Sequence, residues 1–253
     1  MGQALFVASG AYIAGILNYY LNWPIFITIP TGTFVGGAFC TFLLMPVLRL
    51  RGIYFSMVTL ILPLTIGKVF EALHILGGND GLSGLGRFTN STVTCFLAVL
   101  ATLGCFFGMR RLMATDYGLV FISIGDNDQA AMSGGIDVYS RKNQNVFLAA
   151  AVGAFVGAFI THWIGFVGTP AFALDYSILP IASAVVGGIG SQAGAMVGSF
   201  IVVPLAEILR TLGGIRMLFY SLALLVFIIL LPEGIFKYLE RKYHQFERRV
   251  KVE

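Results

Sequence analysis

The sequence predicts an all-α fold, a polytopic bundle of transmembrane helices that contains one re-entrant or broken helix pair. Hydrophobic residues make up 57% of the 253 residues and charged residues only 11%, whereas a soluble domain carries about 25% charged residues. The mean hydropathy is +0.86. The apolar residues come in runs of the roughly 20 residues that a helix needs to cross a bilayer. We therefore interpret residues 1–253 as a single transmembrane domain.

Six apolar runs are each long enough for one span. They cover residues 3–20, 25–48, 53–73, 92–109, 145–166 and 215–232. The first run lacks the charged segment and the cleavage site of a signal peptide, so we interpret it as a span. The three cysteines all lie within apolar segments, which argues against a disulfide framework.

The basic residues predict which side of the membrane each loop occupies. Twelve of the 16 Lys and Arg residues fall into four clusters: 49–51, 110–111, 141–142 and 237–251. Such residues are retained in the cytoplasm, so all four clusters should lie on that side. Two spans separate the first two clusters, which places the loop 77–90 outside. The basic, amphipathic tail 234–253 should lie along the cytoplasmic membrane surface.

The apolar region 178–211 is too long for one straight span. Three glycines, Gly187, Gly188 and Gly190, interrupt it. The number of crossings between the last two basic clusters must be even, and two spans already satisfy that condition. We therefore predict a re-entrant hairpin that enters from the outside and turns at the glycines, as broken helices do along substrate paths. The alternative is two short ordinary spans with one basic cluster assigned to the wrong side.

The segment 110–142 is a polar island between apolar runs. It holds eight of the 28 Asp, Glu, Lys and Arg residues. A polar segment of this length between spans is more than a tight turn, and it predicts a cytoplasmic docking surface for a soluble partner.

No enzymatic constellation is present in the sequence. It has no phosphate-binding loop, no HExxH and no CxxC motif, and its three histidines have no ligand spacing. We predict neither enzymatic activity nor a metal site, and we interpret His162, near the end of a span, as an interfacial residue. The net charge of +4 comes from residues beside the spans, so it does not indicate nucleic-acid binding.

Two further patterns concern helix faces. Lys68, Glu71 and His74 share one face near the outer interface, either as a mutually compensated pair or as a polar lining of an outer vestibule. Three small-residue motifs should allow close helix approach. They begin at Gly104, Gly153 and Gly194, each with a second glycine four residues later.

Several sequence blocks occur together in one order. They are Gly2-Gln3, LRLRGIYFSMVTL (48–60), GGNDGLSGL (77–85), DNDQAA (126–131), GID (135–137), VVGGIGSQAGAMVGS (185–199) and LLPEGIF (230–236). This ordered set resembles the permease subunits of branched-chain amino acid ABC importers, of the M-type. The resemblance covers nearly the whole chain.

The resemblance implies a role and a set of partners. Such a permease pairs with a second, related permease, two cytoplasmic ATPase subunits and an extracytoplasmic binding protein in a prokaryotic inner membrane. ATP and magnesium would be used by the ATPases, so no cofactor is expected in this chain. The implied ATPase-coupling residues are Asp116, Gly118, Asp126, Asn127, Asp128, Ala130, Ala131 and Gly135. The implied translocation-path residues are Asn79, Asp80, Gly81, Gly187, Gly188, Gly190 and Ser191.

The chain departs from the family pattern in two ways. The coupling segment of the family carries basic residues at the positions of Leu119 and Gly125, so the contacts with an ATPase would have to differ. Family members also have one or more spans ahead of Gly2. A fragment, a misassigned start and a natural short form are the three explanations of that difference.

The resemblance leaves the solute open. Few charges lie within the spans, which suits a small zwitterion with an aliphatic side chain, and branched-chain amino acids are the expected solute. Urea and short amides are the alternative within the same family. A self-contained channel is a hypothesis of a different class, and it would require a symmetric polar repeat along a pore.

Overall fold

The computed structural model describes residues 2–50, 52–74, 77–78, 80–188, 190–210, 225, 234 and 236. Two short strands and nine α-helices lie within these ranges. The helices are α1 (Gln3–Leu21), α2 (Ile25–Leu44), α3 (Ile53–Leu73), α4 (Ser91–Met113), α5 (Asp116–Asp126), α6 (Asp128–Ser133), α7 (Val138–Ile164), α8 (Asp175–Gly187) and α9 (Gln192–Arg210). The strands β1 (Leu82–Ser83) and β2 (Phe166–Val167) pair antiparallel.

Residues in the left-handed conformation end three of the long helices. Asn22 after α1, His74 after α3 and Gly165 after α7 have φ values of 51°, 50° and 75°. In α7 the Gly165 N–H donates to the carbonyl of Thr161 at 2.8 Å. A left-handed residue at this position satisfies carbonyls that the last turn would otherwise leave unpaired.

The all-α polytopic fold is confirmed. Seven helices within the described ranges are long and apolar enough to cross a membrane. The first three match the predicted spans closely, whereas α4 and α7 extend about one to two turns further into the polar island 110–142. Both helices continue beyond their apolar residues, because backbone hydrogen bonding does not require apolar side chains. The predicted span 215–232 lies outside the described residues, apart from Leu225.

The chain divides into two compact units, residues 1–177 and 178–253. The first unit contains α1 to α7 and the β-strand pair. The second contains most of α8 and all of α9.

Helix α1 forms the centre of the first unit, where it packs against α2 and α7 through small residues. A Cβ on Gly10 would overlap the backbone of Ala154, and a Cβ on Gly157 would overlap the carbonyl of Val7. A Cβ on Gly36 would lie 3.2 Å from the Gly10 backbone. The three backbones therefore approach as closely as they do only because no side chain stands between them.

The small-residue motifs predicted from the sequence have different outcomes. The motif of Gly153 and Gly157 lies on the face of α7 that contacts α1. The motif of Gly104 and Gly108 on α4 has no described atom within 4 Å of either Cβ position. Among the described residues of α4, only Thr94 is buried. Glycine spacing alone thus does not identify which helix faces pack within the first unit.

His162 is buried in the structure, which corrects its interpretation as an interfacial residue. Its Nδ1 lies 2.8 Å from the Gly86 carbonyl, and its Nε2 lies 2.7 Å from the Thr28 hydroxyl. Because a carbonyl only accepts, Nδ1 carries the proton, and in the neutral ring Nε2 accepts from Thr28. The Gly86 N–H donates to Asn18 Oδ1 at 2.7 Å. The histidine therefore links α2 and α7 to the loop that follows β1.

The second unit contains an antiparallel helix pair. A Cβ on Gly187 of α8 would overlap the carbonyl of Gly194 of α9, and a Cβ on Gly198 would overlap the carbonyl of Ser183. Ala182, Val186 and Val202 form the apolar contact beside these glycines. The motif of Gly194 and Gly198 is thus the contact surface between the two arms of the predicted hairpin.

The turn between α8 and α9 contacts a residue from far along the chain. A Cβ on Gly234 would overlap the backbone of Gly188. Gly188 and Gly234 both have positive φ, at 120° and 82°. Gly234, which follows the predicted span 215–232 in the sequence, therefore lies against this turn, and both positions favour glycine for close approach and for backbone conformation.

We expect Gly157→Leu to destabilise the first unit. Inserting a side chain between closely packed helices costs about 1–3 kcal/mol, and more where the backbone cannot move. For a chain of this size the melting temperature of the purified protein in detergent should fall by about 5 °C or more. Gly104→Leu is the matched control, since nothing within 4 Å opposes its side chain. An equal loss in both variants would contradict the packing described for α1 and α7.

We expect His162→Leu to loosen the loop 77–90. The Gly86 carbonyl would lose its donor, at a cost of about 1–3 kcal/mol. Trypsin should then cleave after the exposed Arg87 about tenfold faster, as followed by mass spectrometry of the fragments. Thr102→Leu, at an exposed site on α4, is the control. Unchanged cleavage after Arg87 in His162→Leu would show that the histidine does not hold the loop.

Candidate functional site

The polar island 110–142 folds into two short helices between two long ones. Asp116 is the first residue of α5, and Asp128 is the first residue of α6. A carboxylate in the first turn of a helix interacts favourably with the helix dipole. Asn127 separates the two helices, and its Oδ1 accepts from the N–H groups of Gln129 and Ala130 at 2.9 and 3.2 Å. The sequence thus breaks one helix and caps the next at a single residue.

A small apolar cluster fixes these helices to the start of α7. Ile124 of α5, Ala131 of α6 and Val138 of α7 are buried against one another. The Lys142 ammonium forms an ion pair with the Asp128 carboxylate, which joins α7 to α6. Asp128 therefore holds the segment together, whereas Asp126 is exposed.

Three of the predicted coupling residues occupy positions where the structure favours a small residue. A Cβ on Gly118 would overlap the backbone of Met113, so Gly118 allows α5 to turn back against the end of α4. Ala131 is buried in the apolar cluster. Gly135 has a φ of 82°, a conformation that favours glycine, in the turn before α7. Ala130, by contrast, is exposed.

One face of α5 is exposed and partly apolar. Leu119, Ile122 and Asp126 lie three and four residues apart, on one side of the helix. Leu119 is 65% exposed and Ile122 is 48% exposed. We call these three residues the α5 face. An apolar surface bordered by a carboxylate, at the end of a bundle and outside the apolar runs, is suited to contact with another protein.

The predicted path residues of the loop 77–90 lie at the other end of the first unit. Asp80 is exposed. Gly81 has a φ of 64°, and its Cβ would lie 2.8 Å from the Phe166 ring, so this glycine lets β1 approach β2. Asn79 lies outside the described residues. Gly81 therefore has a structural role in the loop, while the side chain of Asp80 is free to meet solvent or a partner.

The predicted path residues of the hairpin form the turn between α8 and α9. Gly187 and Gly188 are buried, while Gly190 is exposed and has a φ of 86°. The Ser191 Oγ accepts from the Gly194 N–H at 3.1 Å and so caps the start of α9. The two buried glycines contact Gly194 and Gly234.

The predicted residues therefore form separate groups. Within the first unit the coupling residues and the loop 77–90 lie at opposite ends of α7, whose 27 residues span about 40 Å. The residues of the turn belong to the second unit. Within the described part of the chain, no three His, Cys, Asp or Glu residues come close enough to hold a metal ion.

The structure also contains a feature that the sequence motifs did not indicate. A cavity of about 390 Å³ lies in the first unit between α1, α2 and α3. Three aromatic side chains, Tyr12, Phe70 and Phe172, border it with ring centroids 5.2 to 5.6 Å apart. Its residues come from three helices and a turn without forming any local pattern, so only the folded chain brings them together.

Comparison with known proteins identifies relatives over most of the chain. It is 26% identical to the high-affinity branched-chain amino acid transport system permease proteins LivM of Salmonella typhimurium (strain LT2) and Escherichia coli (strain K12), over 93% of its own length. It spans 63% of the length of either relative. No solved structure matches.

A family model shows where the chain belongs. The model described as branched-chain amino acid transport system / permease component matches residues 1–231, which include α1 to α9, the loop 77–90 and both ends of α7. The chain is therefore a member of this transport permease family.

Proposed function

We propose that this chain is the membrane-spanning permease subunit of an ATP-binding-cassette importer. It would form the translocation path for branched-chain amino acids and couple to a separate cytoplasmic ATPase. The observation that carries the proposal is the α5 face, which is exposed at the end of the bundle where basic clusters flank the spans. Family membership supports the transport role.

The charge pattern supports a cytoplasmic position for the α5 face. Arg110 and Arg111 end α4, and Arg141 and Lys142 lie in the first turns of α7. Both pairs adjoin the segment that carries α5 and α6, and such residues are retained on the cytoplasmic side. The loop 77–90, at the other end of α7, would then face the extracytoplasmic binding protein.

The α5 face also defines the kind of ATPase contact that we propose. Leu119 is exposed and apolar where the family resemblance implies a basic residue, and Asp126 provides the charge at the edge. A partner would bury Leu119 and Ile122 in an apolar groove and offer Asp126 a positive charge. Burial of an exposed leucine side chain is worth about 1.5–3 kcal/mol.

The remaining partners follow from the same proposal. A second, related permease would complete the membrane part, and a binding protein would deliver the solute. Branched-chain amino acids are the leading solute because both relatives are named for them. Urea or a short amide is the second candidate, since the few charges in the spans do not by themselves require a zwitterion.

We expect Leu119→Asp to lower solute-stimulated ATPase activity at least tenfold without loss of membrane insertion. The substitution removes an apolar contact and places a charge where the partner would be apolar, at about 1.5–3 kcal/mol. The measurement is ATP hydrolysis and leucine uptake by the transporter reconstituted with its partners in vesicles. Ser140→Asp, at an exposed site in the first turn of α7, is the control.

The same vesicles distinguish the candidate functions. ATP-dependent uptake of leucine supports the proposal, and ATP-dependent uptake of urea in its place would support the second candidate. Leucine or urea flux without ATP would indicate a self-contained channel. Full ATPase stimulation in Leu119→Asp would show that the α5 face does not couple.

The contact between Gly188 and Gly234 bears on the course of the hairpin. Gly234 precedes the basic tail, which we place in the cytoplasm, so the turn that it contacts should lie at the cytoplasmic end of the second unit. The ranges Thr169–Gly187 and Gln192–Leu209 are each long enough to cross. Two complete crossings also satisfy the even count between the basic clusters. We therefore favour two complete crossings over the re-entrant hairpin.

Ser191→Cys tests this topology. In a background without Cys95 and Cys105, we expect a membrane-impermeant maleimide to label the new cysteine in inverted membrane vesicles but not in intact cells. The exposed Asp80→Cys, in the loop 77–90, should show the opposite pattern and serves as the control. Labelling of Ser191→Cys in intact cells would restore the re-entrant hairpin that enters from the outside.

A further inference from the structure

A further cavity of the first unit lies beside the polar island 110–142. Three parts of the chain form its wall: residues 48–55, which lead into α3, then α5 with the start of α6, and the second and third turns of α7. Its volume is about 370 Å³, within the range of small-molecule sites, roughly 300–1,000 Å³. We call this cavity the inner chamber.

The inner chamber has an acid and a base in its own wall. The Asp128 carboxylate and the Lys142 ammonium both line it, and they form the ion pair that joins α6 to α7. Lys142 is 31% exposed and Asp128 is 27% exposed, so a molecule in the chamber can reach both. An ammonium has three N–H donors and a carboxylate about four acceptor positions. The bond between the two groups therefore leaves each of them able to bind a ligand.

The rest of the wall is mainly apolar. Leu48 and Ile124 are buried, and Phe55, Phe121 and Val146 are partly buried. An apolar group that contacted these side chains would be removed from water, which is favourable in proportion to the area covered. The inner chamber thus combines a charged pair with an apolar surface in a space of the size that a small molecule occupies.

Gly125 leaves one side of the inner chamber open. It lines the chamber, and no described atom lies within 4 Å of its Cβ position. It is also exposed within α5. A larger side chain at this position would therefore take up space in the chamber without displacing a neighbouring group.

We infer that the inner chamber binds a small zwitterion with an aliphatic side chain, the class of solute proposed above. Asp128 binds the solute ammonium, Lys142 binds its carboxylate, and the apolar wall receives its side chain. A purely apolar ligand would leave the charged pair unused, and a simple anion or cation would meet a like charge beside its partner. The inference rests on the proposed function and adds a binding site at the end of the first unit that carries α5 and α6.

An occupied inner chamber would regulate the transporter. The solute would contact residues 48–55, the segment of α5 and α6, and α7 at the same time, and so oppose movement of α5 and α6 against α7. The proposed ATPase contact lies on α5, so a ligand that favours one position of α5 would shift the coupling equilibrium. Solute that accumulates in the cytoplasm should therefore slow ATP hydrolysis, which is inhibition by the product of transport.

The first test uses Asn145→Cys in the complete transporter, assembled with its partners in nanodiscs, in a background without Cys95 and Cys105. Asn145 lines the inner chamber and is exposed, so a maleimide can reach the cysteine. We expect saturating leucine to slow its modification at least about fivefold. Isopentylamine, which lacks the carboxylate, and 4-methylpentanoate, which lacks the ammonium, should have little effect at the same concentration. Gln144→Cys, exposed and outside the chamber, is the control that leucine should not protect.

Three results would overturn the assignment. Equal protection by leucine and by either analogue, or none by leucine, would show that the charged pair does not hold a zwitterion. Protection by phosphatidylethanolamine added to the nanodiscs, and not by leucine, would show that a lipid occupies the chamber. Protection by the ATPase in the absence of leucine, with no further effect of leucine, would show that a side chain of the ATPase fills it.

Gly125→Leu tests the regulation, because it fills the inner chamber without changing the charged pair. In the wild-type transporter, a large excess of leucine should lower ATP hydrolysis at least about threefold below its rate at the leucine concentration that just saturates uptake. In Gly125→Leu the two rates should be equal. Gly108→Leu, whose Cβ position on α4 is also open, should keep the wild-type ratio. A constant rate in the wild type, or the wild-type ratio in Gly125→Leu, would show that leucine does not act through the chamber.

Uptake by the wild-type transporter is measured first to separate this inference from the proposed function. Absence of ATP-dependent leucine uptake would reject the proposed function and the inference that rests on it. Normal uptake by the wild type and by Asn145→Cys, together with an unprotected cysteine, would reject the inner chamber alone.

Discussion

The close approach of three helix backbones determines the architecture of the first unit. Gly10 of α1, Gly36 of α2 and Gly157 of α7 each lie where even a methyl group would meet another backbone or a neighbouring side chain. Water cannot drive helix association inside a bilayer, so close van der Waals contact of this kind takes its place. The contact fixes the rotation of α7 and its position along its own axis relative to α1. The positions of α6 and of the loop 77–90, at the two ends of α7, therefore depend on it.

Helix α7 connects the segment 110–142 to the loop 77–90. Its first turns hold α6 through the Lys142–Asp128 ion pair, and its last turn holds the loop 77–90 through His162. Each attachment is a polar contact with apolar residues beside it. Both lie outside the region where glycines bring α7 against α1. A continuous helix with a side-chain attachment at each end can therefore transmit a displacement from one end of the first unit towards the other.

The sequence was sufficient for some elements because their causes are local. Long apolar runs predicted the first spans, and the glycines 187–190 predicted the break between α8 and α9. The helices α5 and α6 were not predicted. The Asn127 cap is local and could have indicated the start of α6, but the burial of Ile124 against Ala131 and Val138 joins three helices and leaves no pattern within any one of them. The burial of His162 depends on Thr28 and Gly86, so no local pattern could indicate it.

The order of synthesis gives the glycine contact a kinetic consequence. Gly10 and Ala154 touch but lie 144 positions apart in the chain. At about 5–20 residues per second the ribosome needs roughly 7–30 s to add the intervening segment. During that time the surface of α1 that packs against Ala154 and Gly157 has no contact with α7. Helix α1, the most buried of the candidate spans within the described residues, thus gains α2 at once but waits for α7.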